Sequence, residues 1–354
     1  MNNLTGPEEP IQGMAEKAEL RQEITPLRQR ISRHNRVGLY LILTASIVFL
    51  LAATVVAGGF RSNPVTVAQN DVSKVAVVKS IPINYKEFGT GIPLLMLHGM
   101  LVDHHQMVAD MEPLFKNRSG FRRIYPDLPG MGKTPGPASI TSSDQMLDVM
   151  SEFMQTVAPH QRFVVAGYSY GGYLARGLVY KQGIMLDGVL LVAPLVEAEP
   201  AKVRLPPWKI LVSDPKFVAA LTLHEKNIFL PLAVVQSMEN LAWLRANFQP
   251  GLDAADQNFI NNLYASYAFS FPVSQLKIPF PGPTLILTGH QDSLVGYREA
   301  GALLDNYPRG TYVVFDRAGH FLSFEQQALF RSLTGEWLDR VEEYIAQTSS
   351  KGPG

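Results

Sequence analysis

Gly167-Tyr168-Ser169-Tyr170-Gly171-Gly172 lies between the apolar run 163–166 and a segment of helical period that opens at Gly172. A serine in that place sits on a sharp strand-to-helix turn. The turn forces Ser169 into a strained backbone conformation, and side chains at positions 167 and 171 would collide across it, so both are glycine. The hydroxyl is pushed outward as a result. With 28 glycines in the chain, such a five-residue match arises easily by chance, and it is the strand before and the helix after that give it weight.

The surrounding chain has a matching texture. Short apolar runs at 94–97, 123–125, 163–166, 189–192, 284–287 and 312–315 read as strands, mostly apolar on both faces. Helical patterns lie between them at 105–115, from the cap candidates Thr141-Ser142-Ser143-Asp144 to about Val157, and at 172–181, 297–306 and 324–345. Alternation of this kind predicts an α/β fold, with a mostly parallel central sheet and helices on both faces. Residues 197–275 break the alternation with helical patterns rich in Leu, Phe and Trp, and an insertion of that length after one strand predicts a helical cap. Its aromatics Trp208, Phe217, Phe229, Trp243, Tyr264 and Phe269 are assigned to the cap's own core.

Ahead of this region, Val37–Phe60 carries no charged residue over 24 positions, enough at about 1.5 Å per residue to cross a hydrocarbon layer of about 30 Å. It is expected to form a transmembrane helix, since a buried core helix usually keeps one polar face. Arg28, Arg30, Arg33 and Arg36 precede it closely, against Arg61 and Lys74 after it, which places the N-terminus in the cytoplasm and the following domain outside. The rival is a cleaved signal peptide with Val55-Val56-Ala57 as its processing site. The long preceding tail and the length of the apolar run favour an anchor. Residues 1–36, interrupted by Pro7, Pro10 and Pro26, read as a solvated tail, and 61–74 as a linker.

Lys plus Arg and Asp plus Glu each total 31, so no overall charge favours nucleic acid or a strongly ionic ligand, and a small, largely apolar molecule fits better. The absence of cysteine removes disulfides, thiolate metal sites and a cysteine nucleophile, and leaves the redox compartment unreadable. Oligomeric state is equally unreadable.

A serine hydroxyl is a poor nucleophile at neutral pH and needs a base, itself oriented by a third group. His320, in Ala318-Gly319-His320 after the run ending at Phe315, is alone among the eight histidines in lying past the last predicted strand. Asp292, in Gly289-His290-Gln291-Asp292, again follows a strand. The alternative role for Asp292 is only to cap a helix beginning near Val295. Glu197, Glu199 and Asp316 are its competitors, and Asp316 is too close to His320 in sequence to orient it easily. Oxyanion donors are expected at the backbone N–H groups of Tyr170 and Met100, the latter in His98-Gly99-Met100-Leu101, where His98 braces the loop. His104-His105 is explained as a helix N-terminus, since no acidic residue shares a ligand-like spacing with it, and no metal is expected. Asn117-Arg118-Ser119 matches a glycosylation acceptor only in a eukaryotic source.

Leu97-His98-Gly99-Met100, Tyr125-Pro126-Asp127-Leu128-Pro129-Gly130-Met131-Gly132, the elbow, Gly289-His290-Gln291-Asp292 and Ala318-Gly319-His320 together resemble the α/β-hydrolase superfamily, in that family's order. The resemblance runs from about Val75 to Ile345, within a domain taken as 75–348. It implies an acyl-enzyme mechanism with Ser169, Asp292 and His320 as triad and no metal or organic cofactor. Relatives that open epoxides or remove halide carry aspartate at the elbow, and proline iminopeptidases usually carry tryptophan after the serine, so Ser169 and Tyr170 argue against those branches. The expectation is a membrane-anchored, esterase-like serine hydrolase. An amidase or peptidase, a carbon–carbon bond hydrolase, an acyltransferase and a non-catalytic ligand receptor remain as alternatives, because the triad does not separate substrates.

Overall fold

The computed structural model describes residues 73–349. The tail, the apolar segment 37–60 and most of the linker lie outside these residues, and among those described no helix is long and apolar enough to cross a membrane.

An eight-stranded sheet forms the centre, in the order β1-β2-β4-β3-β5-β6-β9-β10. The strands are β1 (Lys74–Val78), β2 (Ile81–Phe88), β3 (Ile92–Leu97), β4 (Phe121–Pro126), β5 (Phe163–Tyr168), β6 (Leu186–Val192), β9 (Thr284–Gly289) and β10 (Gly310–Phe315). All six expected strands are present, each a little longer than its apolar run. From β4 to β10 every pairing is parallel, whereas β1 and β2 add an antiparallel edge that the apolar runs did not announce. In β1 only alternate residues are buried, and β2 carries Asn84 and Lys86 among its apolar positions, so neither shows the continuous run of a doubly covered strand.

Alternate side chains of the parallel strands feed two cores. Leu95, Leu97, Val165, Val189, Leu191 and Ile286 pack beneath α2 (Ser143–Val157) and α3 (Tyr170–Gln182). Leu94, Met96, Ala166, Leu190, Leu285 and Leu287 pack on the other face against α1 (His104–Met111) and the C-terminal helix, where Trp337 is fully buried and donates from Nε1 to the Pro283 carbonyl at 3.1 Å. Helices therefore cover both faces. Ser142 caps α2 by accepting from the Gln145 N–H.

Between β6 and β9 lies the cap. Its helices are α4 (Pro215–Ala220), α5 (Leu223–Phe229), α6 (Met238–Asn247), α7 (Gln249–Ala254) and α8 (Gln257–Tyr264), with the two-residue strands β7 (Val212–Ser213) and β8 (Val235–Gln236) paired in parallel. Phe217, Phe229 and Phe269 are buried as expected, but Trp208 is 51% exposed and does not belong to the cap core. The helix expected at 297–306 is a 3₁₀ helix over Glu299–Asn306, and the one expected at 324–345 is two, α9 (Leu322–Glu325) and α10 (Gln327–Ser349), parted by the non-helical φ −131° and ψ 56° of Gln326.

Candidate active site

Because β3, β5, β6, β9 and β10 run parallel, their C-terminal ends share one rim, where ligands bind in sheets of this kind. Gly99 and Met100 follow β3, Ser169 follows β5, Asp292 follows β9 and His320 follows β10. The rim collects every residue expected to act.

Ser169 has φ 54° and ψ −113°, a region non-glycine residues rarely adopt. Ser169 N–H donates to the Val192 carbonyl, and the Ser169 carbonyl accepts from Tyr173 and Leu195, so three backbone bonds hold the strain. A Cβ on Gly167 would lie 2.2 Å from the Gly171 oxygen, and one on Gly171 would lie 2.2 Å from the Leu97 oxygen. Both glycines are thus required by close approach. The first N–H groups of α3, Tyr170 among them, have no carbonyl four residues back and point toward the rim with the positive end of the helix dipole.

Asp292 is fully buried, and its two oxygens divide their work. Oδ2 accepts from His320 Nδ1 at 2.9 Å, while Oδ1 accepts from the Leu294 and Val295 N–H groups at 2.9 and 3.0 Å. No helix begins near Val295, and these two N–H groups belong to a turn, so one carboxylate braces that turn and orients the histidine. Since a carboxylate only accepts, Nδ1 carries the proton and Nε2 is the basic nitrogen. The competing acids are elsewhere: Glu199 pairs with Lys202 on the surface, Glu197 accepts from the Glu199 N–H, and Asp316 is exposed. Tyr168, beside Ser169, places its ring edge-on to His320 with centroids 5.6 Å apart and donates from its hydroxyl to the His320 carbonyl. The elbow and the histidine loop are therefore in contact.

The loop after β3 rests on the elbow, with an ideal Cβ on Gly99 only 3.4 Å from Ser169 Cβ. His98 is buried, donating from Nδ1 to the Gly99 carbonyl at 2.7 Å and accepting at Nε2 from Leu128 N–H at 3.0 Å. Both ring nitrogens are committed, so His98 is neutral, and burial pushes its pKa down. It braces the loop, as expected. Gln106 Oε1 accepts from Gly99 N–H at 3.1 Å, and Leu101 takes φ 69°, the strained residue that turns the chain after Met100.

Asp127 is a structural residue that the motif included without a stated role. It accepts from His104 N, His104 Nδ1, Lys133 N and Asn84 Nδ2, and although burial raises its pKa, the His104 hydrogen bond and charge hold it well below the usual carboxylate range. A Cβ on Gly132, which has φ 56°, would meet this carboxylate at 2.5 Å. The expectation that His104-His105 lacks an acidic partner is corrected here. Asp103 and Asp127 both reach the pair, and ligand atoms of Asp103, His104 and His105 lie within 4.8 Å of one another. That set could hold a cation, but each Nδ1 is already given to a carboxylate, His104 to Asp127 and His105 to Asp103 at 2.8 Å.

The cap bears on these loops directly. A Cβ on Gly251 in α7 would fall 2.6 Å from both Asp103 N and Val102 Cα, and one on Gly319 would fall 2.8 Å from Val234 Cγ2. Phe259 of α8 fills the space beside Gly130 and Gly136. Tyr170 stacks on Tyr267 with centroids 5.2 Å apart, and its hydroxyl bonds with Ser143 Oγ at 3.0 Å.

The model of the alpha/beta hydrolase family matches residues 94–332, from within β3 to the first turns of α10, with all the rim loops between. The chain belongs to this family. Among solved structures, this α/β hydrolase resembles the alpha/beta superfamily hydrolase from Oenococcus oeni PSU-1, with 29% identity and a TM-score of 0.69 over 76% of this chain and 99% of that one. It is 24% identical over 258 residues to a pimeloyl-[acyl-carrier protein] methyl ester esterase of Legionella pneumophila (strain Corby), spanning 72% of this chain and 99% of the relative. It is also 23% identical over 288 residues to a 2-hydroxymuconate semialdehyde hydrolase of Pseudomonas sp. (strain CF600), spanning 77% and 95%. The hydrolase is accordingly an esterase-like enzyme of the serine-nucleophile type.

Proposed function

We propose that the protein cleaves an ester or related acyl bond in a small, largely apolar substrate, through an acyl-enzyme on Ser169. The observation that carries this reading is the buried Asp292–His320 pair on the same rim as the strained serine. His320 Nε2 takes the serine proton as the hydroxyl attacks the acyl carbon, then returns it to the leaving group; Asp292 holds the tautomer and offsets the imidazolium charge. The N–H groups of Tyr170 and Met100 stabilise the oxyanion. Water then repeats the sequence on the acyl-enzyme. The named relatives include both an ester hydrolase and a semialdehyde hydrolase, so carbon–carbon cleavage on the same residues is the second chemistry to be assayed.

The N-terminal part of the proposal is a single membrane-spanning helix over Val37–Phe60, tail inside and hydrolase domain outside. It is supported by the uncharged span and the arginines before it.

The test uses the full chain in detergent. A fluorophosphonate should label Ser169, and p-nitrophenyl esters of graded chain length should be turned over faster than matched amides. Absence of both labelling and ester turnover would remove the hydrolytic reading and leave a ligand-binding one.

A further inference from the structure

Glu325 closes α9, three residues past the start of the helix that follows the His320 loop, and no step of the proposed mechanism uses it. Its carboxylate is partly buried and has two groups of partners, one in the adjoining histidine loop and one in the cap. Oε2 accepts from the Gly319 N–H at 2.8 Å, the peptide next to His320. Oε1 accepts from the Val234 and Val235 N–H groups of the cap at 2.6 and 3.0 Å. Around this bridge the cap and the histidine loop also meet through rings: Trp243 of α6 stacks on Phe324 at 4.2 Å, and Phe248 stands edge-on to Phe321 at 5.3 Å. Val234 also lies so close to Gly319 that no side chain fits there.

We propose that Glu325 is a positioning residue that couples the cap to the catalytic base, one carboxylate fixing the peptide before His320 and the cap strand β8 in a single arrangement. The inference rests on the reading of His320 as that base. An acceptor with two oxygens is the one side-chain group that can serve inward-pointing N–H donors from both sides at once. A cap shifted from its seat deprives Oε1 of two donors, and a partly buried carboxylate left short of donors pulls on the remaining one, at Gly319. Cap position is thereby converted into histidine position. Burial pushes Glu325 up to about 7 against the pull of the three N–H groups, and Asp292 is the charged group that faces it, with the Tyr168 hydroxyl the neighbouring titratable one. Its proton load therefore changes in the neutral range. The carboxylate form serves both sides, whereas a protonated oxygen brings a hydrogen against an N–H and weakens one arm.

The test compares the parent with Glu325→Gln, whose amide nitrogen must face an N–H on one side. The variant should keep the parent's far-UV circular dichroism and final fluorophosphonate labelling while kcat/KM falls tenfold or more. The acid limb of its pH profile should become shallower than the parent's, because the Glu325 carboxylate no longer takes up a proton there. Hydrogen exchange should rise together at Val234, Val235 and Gly319. A parent-like kcat/KM and acid limb would overturn the proposal, as would exchange that rises at Gly319 alone. If Glu325→Gln does not fold, exchange in the parent between pH 6 and 8, corrected for intrinsic rates, decides the matter: the three amides share one midpoint, or the coupling is wrong. Should the parent label with nothing and hydrolyse nothing, the catalytic reading falls, while the joint exchange still tests the bridge.

Discussion

Asp292 illustrates how much a single buried side chain is asked to do at this rim. Its Oδ1 bonds fix the turn that follows β9, so the oxygen facing His320 has little freedom to move. Asp292→Asn should therefore leave the fold intact and lower kcat by about 10³- to 10⁴-fold, because the amide can present its NH₂ group to Nδ1 and stabilise the wrong tautomer. Ser169→Ala and His320→Ala should cost as much or more. Glu197→Gln and Glu199→Gln, whose carboxylates lie on the surface segment after β6, should keep kcat within a factor of two. Steady-state kinetics on one ester across the five variants checks the set; near-parent kcat in Asp292→Asn would reassign the acid. At this scale the sequence was most readable where chemistry dictates both residue type and strand end, as at Ser169, Asp292 and His320. Glu325 was not readable, since its three partners are backbone groups, two of them about 90 residues away, and carry no side-chain signature.

Among the elements, the cap shows most clearly what pattern alone conveys. Its aromatic content announced a helical layer, but not which rings face inward: Trp208 is half exposed beside Leu230 and Pro231 on an open depression, whereas Trp243 lies on Phe324 next to the histidine loop. Trp243→Ala should therefore redistribute kcat/KM across ester chain lengths by severalfold, with Ser169 labelling retained, and Trp208→Ala should not. A parent profile in Trp243→Ala would make that ring a packing residue only. Gly251→Ala makes a sharper case. Its new methyl would press on Val102 and Asp103, just past Met100, so kcat should fall about tenfold or more while KM changes little. A larger effect on KM than on kcat would locate the damage in substrate binding instead. The antiparallel edge and the break at Gln326 escaped the sequence for physical reasons: half-exposed edge strands lack continuous apolar runs, and Gln326 is neither glycine nor proline.

Across the whole molecule, the parallel sheet was legible because strands buried on both faces leave continuous apolar runs, and its two-sided cover follows from the alternation with helices. The balance of buried charge was not. Asp110 of α1 is buried with Oδ2 unpartnered, and burial raises its pKa to about 8 despite the nearby Ser323 hydroxyl and the Arg331 charge. A carboxyl raised from 3.8 favours the fold fully below that value, and the benefit is lost as pH rises through 8, at up to about 1.4 kcal/mol per pH unit. Asp110→Asn, which resembles the protonated form, should gain in Tm relative to the parent as pH rises from 5 to 9. A constant Tm difference would show that Asp110 does not titrate in that window. The proposed orientation is tested separately by an alkaline phosphatase fusion after Arg61, which should be active in a bacterial host, and a cytoplasmic readout would reverse it.

The order of the rim loops along the chain has a consequence for biosynthesis. Ser169 emerges early, on β5, but its acid and base follow β9 and β10, and the strands between are joined across the cap. A nascent or truncated chain that ends before β9 holds the nucleophile without anything to activate it. The enzyme is thus harmless to any acyl group it meets until its last sheet strand has docked.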